Sequence, residues 1–462
     1  MPASADLETS LAAVCASALR DEGVKVEALE RLSGGASRET WSFDARRSDG
    51  SVVPLILRRD PPGAARGGMG LEARLIQAAA AVGVPVPHLY ASDDDQASLG
   101  AAFMVVQRIE GETIPRRVLR QPELAEARAG LARQCGSVLA ALHSIPPDTV
   151  PGLASEDQVA RYRQVLDAMD QPVPTFEAAF RWLEENRPVS SGEAIVHGDF
   201  RNGNLLVGPD GLRAVLDWEL AHRGDPVEDL GWLCAKCWRF GVDLPVGGFG
   251  TYEDLLAGYS AGGGKPVDPA TLRWWEVLAN LKWGVMCMMQ AAAHTSGAIR
   301  SVELAAIGRR VCEVEWDLLQ LLVDPAALAP DDAWPAAPGP GRPDELHGSP
   351  SAAVLVEAVR EFLEGDVMSA TSGRVRFHAR VAANVLGMIE REIAMGPEQA
   401  SLYRQRLDAA GVGSTGELAA AIRSGRLDWK DPRVTRLLVD MARARLSVAN
   451  PRYLEAPAPP AS

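Results

Sequence analysis

Three oxygen-bearing side chains, Asp199, Asn204 and Asp217, are spaced so that a short hairpin would bring them together. They fall in Ile195-Val196-His197-Gly198-Asp199-Phe200-Arg201-Asn202-Gly203-Asn204-Leu205-Leu206-Val207, then a polar turn from Gly208 to Gly211, then Arg213-Ala214-Val215-Leu216-Asp217-Trp218-Glu219. Asn204 opens one apolar strand and a second strand returns to Asp217, so the two residues end up at the same end. Asp199 sits in the loop leading into that end. One carboxylate and one amide oxygen suit a hard cation such as Mg²⁺, with water and phosphate oxygens completing its shell. A carboxylate off the metal can orient a hydroxyl and accept its proton. Asp199 is assigned that role, and Asn204 and Asp217 the metal. His197 is expected to brace the loop.

The elements that must position these groups are legible from periodicity and turn chemistry. Leu7 to Ala18 reads as an amphipathic helix. Val24 to Leu32, Thr40 to Ala45 and Val52 to Arg58 read as strands, the last two joined at Ser48-Asp49-Gly50. Leu71 to Val82 has helical spacing, and Phe103 to Ile109 reads as another strand. Between the first two strands lies Leu32-Ser33-Gly34-Gly35-Ala36-Ser37-Arg38, where glycines let backbone N–H groups approach phosphates. Helices follow at 123–143, 158–185, 227–238 and 269–322. Downstream of Asp217, Asp225 suits an N-cap, Pro226 the first helical position and Glu228 its capping partner. Glu219 suits either a substrate or metal contact or a solvated loop position.

The His197-x-Asp199 pair, with Asn204 and Asp217 at these spacings, resembles the catalytic and metal loops of the aminoglycoside phosphotransferase and choline kinase family. The resemblance implies an α+β, protein-kinase-like two-lobed fold followed by a separate all-α domain. It implies ATP and Mg²⁺ as cofactors, with Gly34, Gly35 and Ser37 over the phosphates. It implies an adenine contact on the backbone from Gln107 to Ile109, and Asp229 as a brace for the catalytic loop. The family's usual third-strand Lys is replaced here by Arg58, which can still neutralise phosphate and pair with Glu72. Arg59-x-Pro61-Pro62-Gly63 resembles the branch of bacterial hydroxyacyl-CoA kinases and of phosphotransferase domains attached to acyl-CoA dehydrogenases. A 4-hydroxyacyl-CoA is therefore the expected acceptor. The alternatives are an aminoglycoside or amino alcohol and, in another class, a non-catalytic nucleotide-binding scaffold.

The chain has 462 residues and a formal net charge of −14, which argues against a general nucleic-acid binder. Its six cysteines are scattered; they read as buried thiols in a reducing cytoplasm, with no disulfide framework. No stretch reads as a signal peptide or membrane span. The expected order is a β-rich nucleotide-binding lobe (1–108), a mainly helical catalytic and substrate lobe (109–323), a Pro/Ala-rich linker (324–350) and a helical domain (351–455). In the last, helices are expected at 354–363, 375–393, from Ser414 as N-cap, and at 434–446. This part resembles a small helical domain of undefined activity that accompanies such phosphotransferases. It is expected to contact the kinase lobes or another subunit. The partner is a small-molecule hydroxyl substrate.

Overall fold

The computed structural model describes residues 3–32, 38–61, 69–94, 98–329 and 351–455. The chain divides into two compact units. Among the described residues, one takes in those within 1–156 and 189–275, and the other those within 157–188 and 276–455.

The first unit is built on a five-stranded antiparallel sheet. Helix α1 (Ala3–Leu19) is followed by β1 (Lys25–Arg31), β2 (Glu39–Arg46), β3 (Val52–Arg59), α2 (Met69–Ala81), β4 (Leu89–Asp93) and β5 (Phe103–Gln107), in the order β1-β2-β3-β5-β4. The Ser48-Asp49-Gly50 turn closes as expected: Arg47 N–H donates to Ser51 O at 2.8 Å, and Gly50 takes the left-handed conformation that only glycine adopts freely. Alternation along β3 puts Leu55 and Leu57 in a core with Phe43 and Leu11. The edge strand β4 was not expected. It follows two prolines at 85 and 87 and ends in an acidic run, and so carries little strand signal. Helices α3 (Pro115–Val118) and α4 (Ala125–His143) then lead to the short pairs β6 (Ala194–Val196) with β9 (His222–Gly224) and β7 (Leu205–Gly208) with β8 (Gly211–Val215). Next come α7 (Val227–Cys234) and α8 (Tyr252–Ala261).

The second unit is helical throughout. It contains α5 (Gln158–Met169), α6 (Pro174–Glu185) and the greater part of α9 (Pro269–Thr295). It continues with α10 (Val302–Gly308), α11 (Val311–Leu322), α12 (Ala352–Phe362), α13 (Met368–Ala370), α14 (Gly373–Ala409), α15 (Thr415–Arg423) and α16 (Pro432–Ala449). Ser414 caps α15 as expected, accepting from Glu417 N–H. Helix α14 outruns its expected end at Ile393 by several turns and passes through Pro397. Packing divides the chain differently from the expected order of segments. Stretches 157–188 and 276–323, read as part of the second lobe, share a unit with 351–455. Trp316 and Leu319 of α11 lie in one core with Leu437 and Leu438 of α16. The linker residues 330–350 lie outside the described residues. All six cysteines are buried thiols outside any disulfide.

Helices α4 and α8 pack at glycines. A Cβ on Gly258 would lie 2.0 Å from Arg133 O, and one on Gly136 would lie 2.1 Å from Leu255 O. Backbone cannot yield to a methyl as a side-chain tip can. Gly258→Ala is therefore expected to cost about 3 kcal/mol, read as a lower denaturant midpoint at unchanged slope. Its neighbour Tyr259 bears on the site described next.

Candidate active site

The catalytic stretch is held by one buried carboxylate. Asp229, on the first turn of α7, accepts from His197 N–H at 2.7 Å and from Gly198 N–H at 2.9 Å. His143, at the end of α4, places Nε2 3.2 Å from the same carboxylate and Nδ1 3.0 Å from the Tyr259 hydroxyl. Burial alone would push the Asp229 carboxyl up. The His143 hydrogen bond and charge, with His197 and its amide, outweigh it and hold the carboxyl below the ordinary range. Gly198 must be glycine: its φ is +78°, and a Cβ would lie 2.4 Å from Leu220 O.

His197 is fully buried against Trp218, with ring centroids 4.6 Å apart. Asp199 N–H donates to its Nδ1 at 3.2 Å, so the neutral ring carries its proton on Nε2. Burial pushes its pKa down, with partial opposition from Asp229 and Asp199.

Asp199 has both oxygens engaged. Oδ1 accepts from Arg201 Nε at 2.9 Å and from Trp232 Nε1 at 2.9 Å, and Oδ2 accepts from Asn204 Nδ2 at 2.6 Å. These bonds fix its rotamer while leaving it acceptor-only in its ionised form. Asn204 and Asp217 come together through the hairpin. Leu205 pairs with Val215, and Leu216 N–H donates to Asn204 O at 2.9 Å. Asp217 has φ +66°, a costly conformation for a residue other than glycine, next to a buried Trp218.

The donor set at this end fits a hard cation. Asn204 spends its amide nitrogen on Asp199, which leaves Oδ1 as its acceptor. Asp217 is half-buried and gives Oδ1 to Arg58. Among the described residues no group of three His, Cys, Asp or Glu side chains forms a metal site by itself. Two protein oxygens suit a cation such as Mg²⁺ whose other ligands are phosphate and water.

A second cluster adjoins Asp217. Arg58 on β3 donates to Glu72 Oε2 at 3.1 Å and to Asp217 Oδ1 at 3.2 Å. Glu72, buried on α2, is also paired through Oε1 with Arg38, whose Nε lies 3.0 Å from Asp60. One buried glutamate thus orients two guanidiniums. Arg38 was passed over in the sequence because it sits at the edge of the glycine-rich stretch and has no partner at helical or hairpin spacing. Asp60, equally buried, was missed for the same reason. Arg201 was missed as a site residue although it lies two positions from Asp199. Its guanidinium stacks over Trp238, 4.3 Å from the ring centroid.

The other expected residues fall as follows. Gly34, Gly35 and Ser37 lie outside the described residues. Gln107 ends β5, and its N–H donates to His88 O at 2.8 Å. Arg108 N–H donates to Pro54 O at 3.0 Å, and Ile109 is the next residue along. Glu219 is exposed beyond Asp217. At the start of α7, Val227 N–H donates to Asp225 Oδ1 at 3.0 Å, while Glu228 lies 3.1 Å from His222 Nε2.

Comparison with known proteins gives a family and a fold. The sequence profile of the phosphotransferase enzyme family matches residues 28–275, more than half of the chain. A domain family of undefined activity, DUF6285, matches residues 369–453. Human acyl-CoA dehydrogenase family member 11 is 30% identical over 227 residues, which is 44% of this chain and 29% of that protein. The Arabidopsis thaliana acyl-CoA dehydrogenase-like protein IBR3 is 30% identical over 233 residues, 45% of this chain and 27% of its own. The chain thus spans less than a third of the length of these relatives. A Ralstonia eutropha structure named for aminoglycoside phosphotransferase superposes with a TM-score of 0.53 at 20% identity. It covers 68% of this chain and 98% of its own, which establishes the kinase-like α+β fold.

The buried groups make acid stability a direct test. His197 is held below its ordinary value, near 6.5, so its contribution is complete above about pH 6.5 and declines as pH falls toward its folded value. Asp229, also held low, loses its contribution only at more acid pH. His197→Gln is expected to flatten the fall in Tm as pH drops below about 6.5, and to leave the further loss in the carboxylate range. A Tm profile of unchanged slope in that variant would contradict the assignment.

Proposed function

The chain belongs to the phosphotransferase enzyme family by a profile that takes in more than half of it, and we propose that it is a small-molecule phosphotransferase that transfers the γ-phosphoryl group of ATP to a hydroxyl. The observation that carries this reading is the convergence of Asp199, Asn204 and Asp217, with Arg58 and Glu72 adjoining. A scaffold that merely bound nucleotide would have no use for a carboxylate fixed by three donors.

In the proposed reaction the acceptor hydroxyl sits against Asp199, which orients it and takes its proton. The hydroxyl oxygen forms a bond to the γ-phosphorus. The bond from that phosphorus to the bridging oxygen breaks, and ADP leaves with the electron pair. Arg58, aimed by Glu72, offers charge to the phosphates. Arg201, paired with Asp199 and stacked on Trp238, sets a second positive charge beside the reacting hydroxyl. Mg²⁺, held by Asn204 Oδ1 and Asp217, would supply charge neutralisation for the phosphate oxygens. Positioning and preorganised charge account for the rate, with no covalent enzyme intermediate.

The proposed acceptor is a hydroxyacyl-CoA, with a 4-hydroxyacyl-CoA preferred. Relatives named as acyl-CoA dehydrogenases share the matched region. A guanidinium beside the base also suits an anionic acceptor better than a polycationic aminoglycoside. The test is ADP formation with Mg²⁺-ATP against hydroxyacyl-CoAs, choline-like alcohols and aminoglycosides. Turnover is expected with a hydroxyacyl-CoA, and Arg201→Leu is expected to lower kcat/KM about a hundredfold. Turnover confined to aminoglycosides would overturn the acceptor. ATP binding without turnover on a broad panel would favour the scaffold reading.

A further inference from the structure

Helix α12 has eleven residues and not one of them is buried, although most are apolar. Such a helix gains little from propensity alone and needs packing on its apolar surface. One side is served within the chain. Val356, Arg360 and Leu363 are half-buried on the side toward α14, which carries the small buried residues Ala379, Ala383 and Gly387 at four-residue spacing. Arg360 Cδ comes within 3.8 Å of the Cβ position of Gly387, and its guanidinium pairs with Glu390 at 2.9 Å. The two helices form an antiparallel hairpin.

A second side is left open among the described residues. Leu355, Val359 and Phe362 of α12 lie about a quarter turn from the α14 contact, and Val375, Ile389 and Ile393 of α14 a similar turn from the α12 contact. Antiparallel helices of the same hand bring these two sets to the same face of the hairpin. All six side chains are between 37% and 58% exposed. The charged residues Glu357, Glu361, Arg376 and Arg380 fall on the opposite face, together with the exposed Val354 and Phe377. The hairpin is thus a two-helix layer with a continuous apolar surface on one side and a mixed, charged surface on the other.

At ordinary side-chain areas these six residues expose on the order of 500 Å² of apolar surface, the upper range for a single patch on a monomer. A standard dimer interface removes about 800 Å² from each partner, roughly two-thirds of it apolar. The patch therefore matches the apolar part of one half-interface. It carries no charge that would call for a complementary, different partner. A layer of two antiparallel helices also supplies half of a four-helix bundle.

We propose that this face pairs with the same face of a second copy of the chain, closing a four-helix bundle around a twofold axis. Val359 and Ile389 lie near its centre. Such a contact is isologous: each residue set meets its own counterpart. The proposal is independent of the catalytic reading.

The test is the mass of the full chain in solution by light scattering or sedimentation at about 10 µM, a concentration well above the Kd of a typical specific dimer. The expected mass is twice the 49.3 kDa of one chain. Val359→Glu with Ile389→Glu is expected to weaken association about a hundredfold and give the single-chain mass, with the circular dichroism of the parent retained. Glu361→Ala, on the charged face, is expected to leave the dimer intact. A wild-type monomer, or a dimer that survives the double substitution, would overturn the proposal. Should the double variant fail to fold, hydrogen exchange in the wild type decides: α12 amides are expected to gain protection as concentration rises. Exchange independent of concentration would contradict the bundle.

Discussion

The Asp229 carboxylate is the constraint from which the catalytic arrangement follows. It gathers two consecutive amides, those of His197 and Gly198, and is itself gripped by His143. A buried charge without such partners would be strongly destabilising, so the loop, α4 and α7 must meet in one arrangement for the carboxylate to be tolerated. Once that arrangement forms, Asp199 emerges from a fixed backbone, and the β7–β8 hairpin brings Asn204 and Asp217 beside it. The glycine contacts between α4 and α8 belong to the same logic. They let Tyr259 reach His143, so a helix-packing detail is connected to the loop by three hydrogen bonds in series, through His143 and Asp229.

Glu72 plays a comparable part in the sheet. Its two oxygens are divided between Arg38 and Arg58, and Arg58 continues to Asp217. A Lys at position 58 could offer one point charge. The guanidinium fork serves two carboxylates at once. Arg58 belongs to a wider network in which a second buried arginine, Arg38, is anchored on Asp60.

The central motif was legible in the sequence because its geometry is local. Asn204 and Asp217 are joined by one hairpin, and short continuous apolar runs bounded by Gly208 and Gly211 announce it. The three-strand start and the Ser48-Asp49-Gly50 turn were legible for the same reason. What escaped was long-range. Arg38 and Glu72 lie far apart in the chain, as do His143 and Asp229, and no periodicity links them. Trp232 is core and also a donor to Asp199 across 33 residues of sequence. The grouping of 157–188 and 276–323 with the C-terminal helices depends on packing between remote segments. Helix α14 ran past Gly396-Pro397 because tertiary contacts with α16 outweigh a local break signal.

The central claim, that Asp199 handles the hydroxyl while other groups hold the nucleotide, is tested most directly by separating binding from transfer. Single-turnover transfer of a labelled γ-phosphoryl group would be followed in the wild type and in Asp199→Asn, with Mg²⁺-ATP affinity measured in parallel. The account predicts affinity within about twofold and transfer slowed by roughly a thousandfold. Transfer at the wild-type rate, or loss of ATP binding together with activity, would contradict it.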